Sequence, residues 1–405
     1  MKKRFFQGLG LNIFLLGLVS LLTDLSSEMV LPILPMYITA LGGTAFAVGL
    51  TGGLGDSVAS ALKVLSGYWS DRYGARKPFV FWGYALSAMA KLSLAFSTVW
   101  QHALISRSAE RVGKGLREAP RDAIIADSAG SQIRGRAFGV HRAMDTTGAI
   151  GGSLLAFLLF WCFDLRFEVI ILAGAVIAFV ALIPFFRIAE VRREPQKDRG
   201  LGVSFKALPK KLRWFVLIAA VFALGNFTYM FFVLRAQDVF GEGASEKSAV
   251  GIAILLYALY NVVYAVMSIP AGILSDRVGR GKVLTLGYLF FGLTCIGFAF
   301  LHSTAALVVL FVLYGLVYAL VVGAERAFAC DLAPEDCRGT ALGTLHTFIG
   351  LVALPAGLIA GLLWEHIGSW ATFIYGGALG LTAGVLMLRF CASSEPEVTR
   401  QCPDE

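Results

Sequence analysis

Eight ionisable side chains, Arg107, Glu110, Arg111, Lys114, Arg117, Glu118, Arg121 and Asp122, crowd one short stretch of a chain that is 57% hydrophobic and only 15% charged. At about 100° per residue they fall within an arc of roughly 140° on a helical wheel. Ser108, Ala109, Val112, Gly113, Leu116, Ala119 and Ala123 make the other face. Each charge held against lipid at mid-membrane costs about 2.5 to 3.5 kcal/mol, so this face must meet water or other protein. The i,i+4 pairs Glu110 with Lys114 and Lys114 with Glu118 lower the cost. Arg107, Arg111, Arg117 and Arg121 still need carboxylates from other helices, water or a solute. A guanidinium fork suits carboxylate or phosphate groups, so an anionic or zwitterionic solute is one reading. A structural cluster tied to Asp24, Glu28 and Asp145 is the other.

Asp24 and Glu28 lie four residues apart on one face of the first apolar run, below Pro32 and Pro35. Intramembrane carboxylates suit uptake and release of protons. Alternatively they neutralise fixed cations such as Arg111 or Lys114. Arg142 and Asp145 can pair at i,i+3, and His141 beside them reads as a solvated side chain. Asp56, Lys63 and Lys91 read as interhelical packing pairs. In the second half the polar candidates are neutral: Asn226, Tyr229, Tyr257, Tyr260, Asn261 and Tyr264, with Glu325 and Arg326 further on.

The elements that position these groups are apolar runs of membrane-spanning length, and the mean hydropathy is +0.73. Twelve spans can be drawn, at about 10–38, 46–69, 78–98, 100–126, 138–162, 167–187, 214–236, 248–274, 283–301, 304–329, 341–364 and 369–390. The first follows Lys2, Lys3 and Arg4 but is too long for a signal peptide, holds Asp24 and Glu28, and lacks a small-x-small site; it reads as a retained helix. The net charge of +8 sits in loops beside spans, so it implies topology rather than nucleic acid. Arg72, Arg76, Lys77, Arg134, Arg136, Arg277, Arg280, Lys282 and Arg338 all fall on one side with both termini, which makes that side cytoplasmic. Cys162, Cys295, Cys330, Cys337, Cys391 and Cys402 show no metal spacing and read as free thiols.

The halves repeat. Gly67-Tyr-Trp-Ser-Asp71-Arg72-Tyr-Gly74 returns as Gly272-Ile-Leu-Ser-Asp276-Arg277-Val-Gly279, offset by roughly 205 residues. Asp127 and Arg134 to Gly139 return as Asp331 and Arg338 to Gly343 at nearly the same offset. Parallel six-span repeats with a site between them at the midplane describe a secondary transporter. At Gly67 to Lys77 the chain resembles the major facilitator superfamily, whose loop between the second and third helices carries this motif. The resemblance implies that Asp71 lies near the positive end of a helix in the other half and that Arg76 pairs with an acid such as Asp127. It also implies that opening toward the cytoplasm breaks both contacts. Arg107 looks like the fourth-helix arginine of proton-coupled members. Gly139, Gly148 and Gly152 match the antiporter spacing, with Ser153 where proline is expected.

The sequence thus predicts an all-α polytopic membrane protein of twelve transmembrane helices in two pseudo-symmetric six-helix bundles, 1–188 and 213–391. A cytoplasmic linker at 189–212 and a cytoplasmic tail at 392–405 complete it. Expected function is alternating-access transport of a small polar or charged solute by a monomer in the inner membrane, proton-coupled and outward. Uptake of an anionic or zwitterionic metabolite or metal chelate is the alternative, and a receptor or enzyme without transport is the rival of another class. No cofactor, resident metal or nucleic acid is implied. Asp24, Glu28, Arg107, Glu110 and Asp145 are the proton-coupling candidates. Arg111, Lys114, Arg117, Asn226, Tyr229, Tyr257 and Asn261 are the solute-binding ones. Gating falls to Asp71, Arg72, Arg76, Arg121, Asp122, Asp127, Asp276, Arg277, Glu325 and Arg326, the pairs Arg121-Asp122 and Glu325-Arg326 being expected to meet across the pseudo-twofold axis.

Overall fold

The computed structural model describes residues 10–129, 133–189, 208–333 and 338–393, with helices and no strand among them. Most of the expected linker and tail, residues 190–207 and 394–405, lie outside the described residues, as do Cys337 and Cys402.

The first half is built from α1 (Leu11–Val30), α2 (Leu34–Ala40), α3 (Ala45–Tyr73), α4 (Lys77–Ala95), α5 (Trp100–Ser128), α6 (Arg134–Trp161) and α7 (Phe167–Val180). The second contains α8 (Lys210–Gly225), α9 (Met230–Gly241), α10 (Glu246–Val278), α11 (Arg280–Phe300), α12 (Thr304–Asp331), α13 (Arg338–His366) and α14 (Ser369–Ala392). Two crossings are broken. Pro32 and Pro35 separate α1 from α2, since proline removes a backbone donor and clashes with the preceding turn. Residues 226–229 interrupt α8 and α9 without a proline. Gly74 and Gly279, equivalent positions of the repeat, both take positive φ (64° and 105°) at the turn after the motif aspartate, where a side chain would be strained.

Ten described segments are long and apolar enough to cross a membrane. The two crossings that fail this composition are α4 and α5, and they pack on each other, with α3 on α5 and α7 on α4. Neighbouring helices therefore cover charged α5. Large apolar side chains such as Trp82, Ile105, Phe186, Trp214 and Ile269 are exposed instead, as lipid-facing surface requires.

The interiors of the halves differ. The second is filled with rings, such as Phe222 stacked on Tyr288 and Phe232 on Tyr314, each with centroids 4.1 Å apart. The first buries Lys91, Arg107, Glu110, Arg117, His141 and Asp145. The halves meet along α3 with α13 and α6 with α10. Away from the termini this seam is tight. Gly49 and Gly357 approach so closely that a Cβ on either would overlap the other's carbonyl oxygen. Ser57 Oγ donates to Gly350 O at 2.5 Å, and Lys247 pairs with Asp164 at 2.6 Å. On the side of the termini the halves part around cavities that reach Asp71 at the end of α3 and Gly339 at the start of α13.

Candidate functional site

The central cavity has a volume of about 320 Å³. From the first half, α3 presents Asp56 and Lys63, and α5 presents Arg111, Lys114 and Glu118. The second half supplies Asn226, Thr228 and Tyr229 from the break between α8 and α9, Tyr318 and Arg326 from α12, and His346 from α13. Breaking the helix there frees backbone polar groups only where they border a cavity, the one place a membrane protein tolerates it. Arg111 pairs with Asp56 at 3.0 Å, and Glu118 takes Lys63 at 3.0 Å and Lys114 at 3.8 Å. Tyr318 OH donates to Asn226 Oδ1 at 3.4 Å. Two adjoining cavities of about 420 and 480 Å³, both bordered by Lys63, Asp122 and Arg326, continue toward the termini side.

The structure divides the arc of charges on α5. Arg111, Lys114 and Glu118 face the central cavity, and Arg121 and Asp122 its mouth. Arg107, Glu110 and Arg117 turn into the first half. Arg107 Nη1 pairs with Glu110 Oε2, so Glu110 takes Arg107 rather than the expected Lys114. Arg117 was expected at the solute. Instead its Nη1 donates to Ser87 Oγ at 2.5 Å, its guanidinium lies 4.6 Å from the Tyr84 ring centroid, and it lines none of the three connected cavities. A stacked, hydrogen-bonded guanidinium between α4 and α5 is buried at lower cost than one pointed at lipid.

The coupling candidates do not form one cluster. Glu28 reaches across the seam and accepts from Tyr257 OH at 2.9 Å and Asn261 Nδ2 at 3.1 Å. Tyr257 and Asn261 thus serve Glu28 rather than the cavity wall, a departure from their expected place at the solute. Tyr229, which does line the cavity, also donates to Leu31 O at 3.1 Å. Asp145 borders the mouth, 3.6 Å from His141 and 3.9 Å from Arg142. His141 is buried rather than solvated, because α6 turns it inward beside Asp145. Asp24, one turn of α1 from Glu28, lies within electrostatic range of Asp145, Lys114 and Arg121.

Four of the gating candidates, Asp71, Arg76, Asp127 and Asp276, fall in two matched triads, the second completed by Arg280 and Asp331. Arg76 bridges Asp71 (3.1 Å) and Asp127. In the repeat, Arg280 bridges Asp276 (3.4 Å) and Asp331 (2.5 Å). Arg280 stands one residue earlier in its motif than Arg76 does, yet takes the same role. Opening on this side is expected to break the Arg76–Asp127 pair and the approach of Asp71 to the other half's helix end; here the cavities reach this side, yet the Arg76–Asp127 pair is made. Arg76, Asp71 and Asp127 all belong to the first half, so parting the halves need not stretch the bonds among them. Asp71 shares a cavity with Gly339 and Thr340 in the first turn of α13. Arg72 is held by Tyr68 OH at 2.8 Å, and Arg277 is exposed. Arg121 pairs with its neighbour Asp122 at 2.9 Å, whereas Glu325 accepts from Tyr288 OH at 2.7 Å within its own half. The expected meeting of these pairs across the axis is not made; Asp122 and Arg326 merely border the same cavities.

Sequence reasoning passed over Tyr318 and His346 and read Asp56 and Lys63 as packing. A signal existed for His346. At the offset that carries Asp127 to Asp331, it stands where Arg142 stands in the first half.

Residues 16–260 and 246–403 each match the family model of the Major Facilitator Superfamily. An uncharacterised MFS-type transporter of Methanocaldococcus jannaschii is 48% identical over 377 residues, 93% of this chain and 94% of that one. The multidrug resistance protein MdtH of Aeromonas hydrophila is 25% identical over 399 residues, 95% and 96% of the two chains. Among solved structures, a mutant of the nucleoside transporter NupG superposes with a TM-score of 0.80 over 95% of this chain and 100% of that one, at 17% identity, a likeness of fold alone. With two six-helix halves, a polar cavity between them and a family match that runs through both, the chain belongs to the Major Facilitator Superfamily.

Proposed function

We propose that this membrane transporter moves a small anionic or zwitterionic solute by alternating access, outward and coupled to protons. The observation that carries the substrate class is the charge of the central cavity. Lys63, Arg111, Lys114 and Arg326 set four cations against the two carboxylates Asp56 and Glu118, an excess of two positive charges. Arg111 is the primary contact for the solute's anionic group, and Asn226, Tyr229 and Tyr318 supply neutral hydrogen bonds from the other half. The positive-inside bias makes the open side cytoplasmic, so the cavity receives its solute from the cell interior. The bundles 1–188 and 213–391 rock as units about the fixed site, in an inner-membrane monomer.

The direction rests on the resemblance of Arg107 and the α6 glycines to coupled exporters, together with the likeness to a protein named for multidrug resistance. Glu28 and Asp24 carry the proton, since both lie within electrostatic range of a cation that lines the solute cavity, Lys114. The test is flux of metabolite anions in proteoliposomes under imposed pH gradients of either sign, with purified protein first screened for thermal stabilisation by the same compounds. Proton-coupled export requires solute movement against the proton gradient, with Arg111→Ala losing both flux and stabilisation. Uptake driven by an inward proton gradient would reverse the assignment of direction, and indifference to the gradient would remove the coupling.

A further inference from the structure

The seam between the halves carries one arrangement twice on the side away from the termini. In the last turn of α13, Glu365 Oε2 accepts from the backbone N–H of Phe46 in the first turn of α3, at 3.3 Å. Just beyond α6, Asp164 pairs with Lys247 in the first turn of α10. Glu365 follows Asp164, and Lys247 follows Phe46, at one shared offset of roughly 200 residues. The repeat thus sets a carboxylate from one half on the start of a helix in the other. The two helix starts differ in one respect. α10 has its own cap, Ser245, whose side chain accepts from Ser248 N, and an acid, Glu246, in its first turn. α3 has no acid in its first turn, and Thr44, held in the extended backbone of an N-cap, makes no cap bond.

Local helix chemistry gives no reason for Glu365. In the last turn of α13 a carboxylate meets the negative end of its own helix, whereas the start of α3 is positive. Gly361, one turn earlier, permits the contact, since a Cβ there would lie 2.8 Å from Ala45 O and from Phe46 Cα. The bond crosses between halves, so parting them on this side breaks it and frees the Phe46 N–H. Thr44 stands where it can take over. An N-cap hydroxyl accepts from the second or third amide of its helix, and Phe46 is the second residue of α3.

We propose that Glu365 and Thr44 are alternative caps of α3, Glu365 while the side away from the termini is closed and Thr44 once it opens. The exchange rests on the alternating-access reading and assigns these two residues opposite effects on it. A bond made in one state only shifts the equilibrium by its whole strength, whereas a cap that travelled with α3 through both states would shift nothing. Glu365 therefore favours the state open toward the termini, and Thr44 favours its opposite.

The experiment uses the full chain in lipid nanodiscs, with spin labels at Val99 and Leu301, exposed positions of the two halves at this end. Glu365→Ala is expected to raise the population of wider distances severalfold. Glu365→Gln, which keeps an acceptor but not the charge, raises it less. Thr44→Ala, added to Glu365→Gln so that a decrease is readable, lowers it again. These opposite signs separate an exchange of caps from a plain loss of α3 stability, which would move both variants the same way. Two distance populations that Glu365→Ala leaves unshifted overturn this inference alone. A Thr44→Ala that raises the wider population, or leaves it as it was, overturns the exchange. A single distance that no variant and no solute alters overturns alternating access, and this inference with it.

Discussion

Glu28 of α1 accepts a hydrogen bond from Tyr257 of α10 at 2.9 Å, a bond that joins the two halves on the closed side of the cavity. A hydrogen bond to a charged acceptor contributes about 1.5 to 3 kcal/mol, so this one bond is enough to shift the balance of open and closed states tenfold or more. Glu28→Gln removes the charge while keeping the shape. The variant is expected to populate wider separations between spin labels at Phe163 and Gly243, both at the far end of the seam. On the proposed coupling, proton-driven flux is expected to fall with it. An unchanged distance distribution means that the tie does not govern closure.

Arg111 and Asp56 face each other at 3.0 Å across the cavity wall, the carboxylate half-exposed and the guanidinium largely covered. Arg111→Ala is expected to weaken solute stabilisation at least tenfold in a thermal-shift titration. The exchange Asp56→Arg with Arg111→Asp restores the pair but moves the cation to the other helix. Restored thermal stability without restored binding is the expected result, and restored binding would show that only net charge matters.

The two charge triads differ in burial, and their energetics follow. The Arg76 side chain is 11% exposed and its partner Asp127 7%, against 30% for Arg280 and 51% for Asp331. Breaking a buried pair costs about 3 to 5 kcal/mol, whereas exposed pairs contribute about 0 to 1. Arg76→Ala is therefore expected to lower the thermal midpoint by clearly more than Arg280→Ala. Equal losses would contradict this ranking.

Gly49 and Gly357 meet backbone to backbone across the seam, with no room for a side chain on either. Gly49→Val should hold the far side apart and depopulate the state open toward the termini. The readout is labelling of Asn226→Cys by a membrane-impermeant thiol reagent added from each side of oriented vesicles. Unaltered sidedness would show that the seam tolerates the added bulk.

Much of this architecture was legible because it is written twice. The doubled motif around Asp71 and Asp276 identified the halves, and the wheel placed the α5 charges on one face. Depth was not legible. An arc of roughly 140° does not say where along the helix the cavity begins. Only the approach of α4, through Ser87 and Tyr84, shows that Arg117 belongs to packing. Cross-half relations were hidden for a related reason. Tyr257 and Glu28 are 229 residues apart, and no local pattern sets the register of α10 against α1. The Arg280 triad was missed because its arginine sits one position out of motif register.

The composition of α4 and α5 bears on how the chain enters the bilayer. A translocon sorting helices singly by hydrophobicity would reject α5, with its insertion penalty of about 2.5 to 3.5 kcal/mol per central charge. Its Arg111 and Glu118 pair with Asp56 and Lys63 on α3, and its Arg117 donates to Ser87 on α4, both helices synthesised earlier. The third and fourth crossings must therefore partition together, as a hairpin, against a second helix already waiting in the membrane.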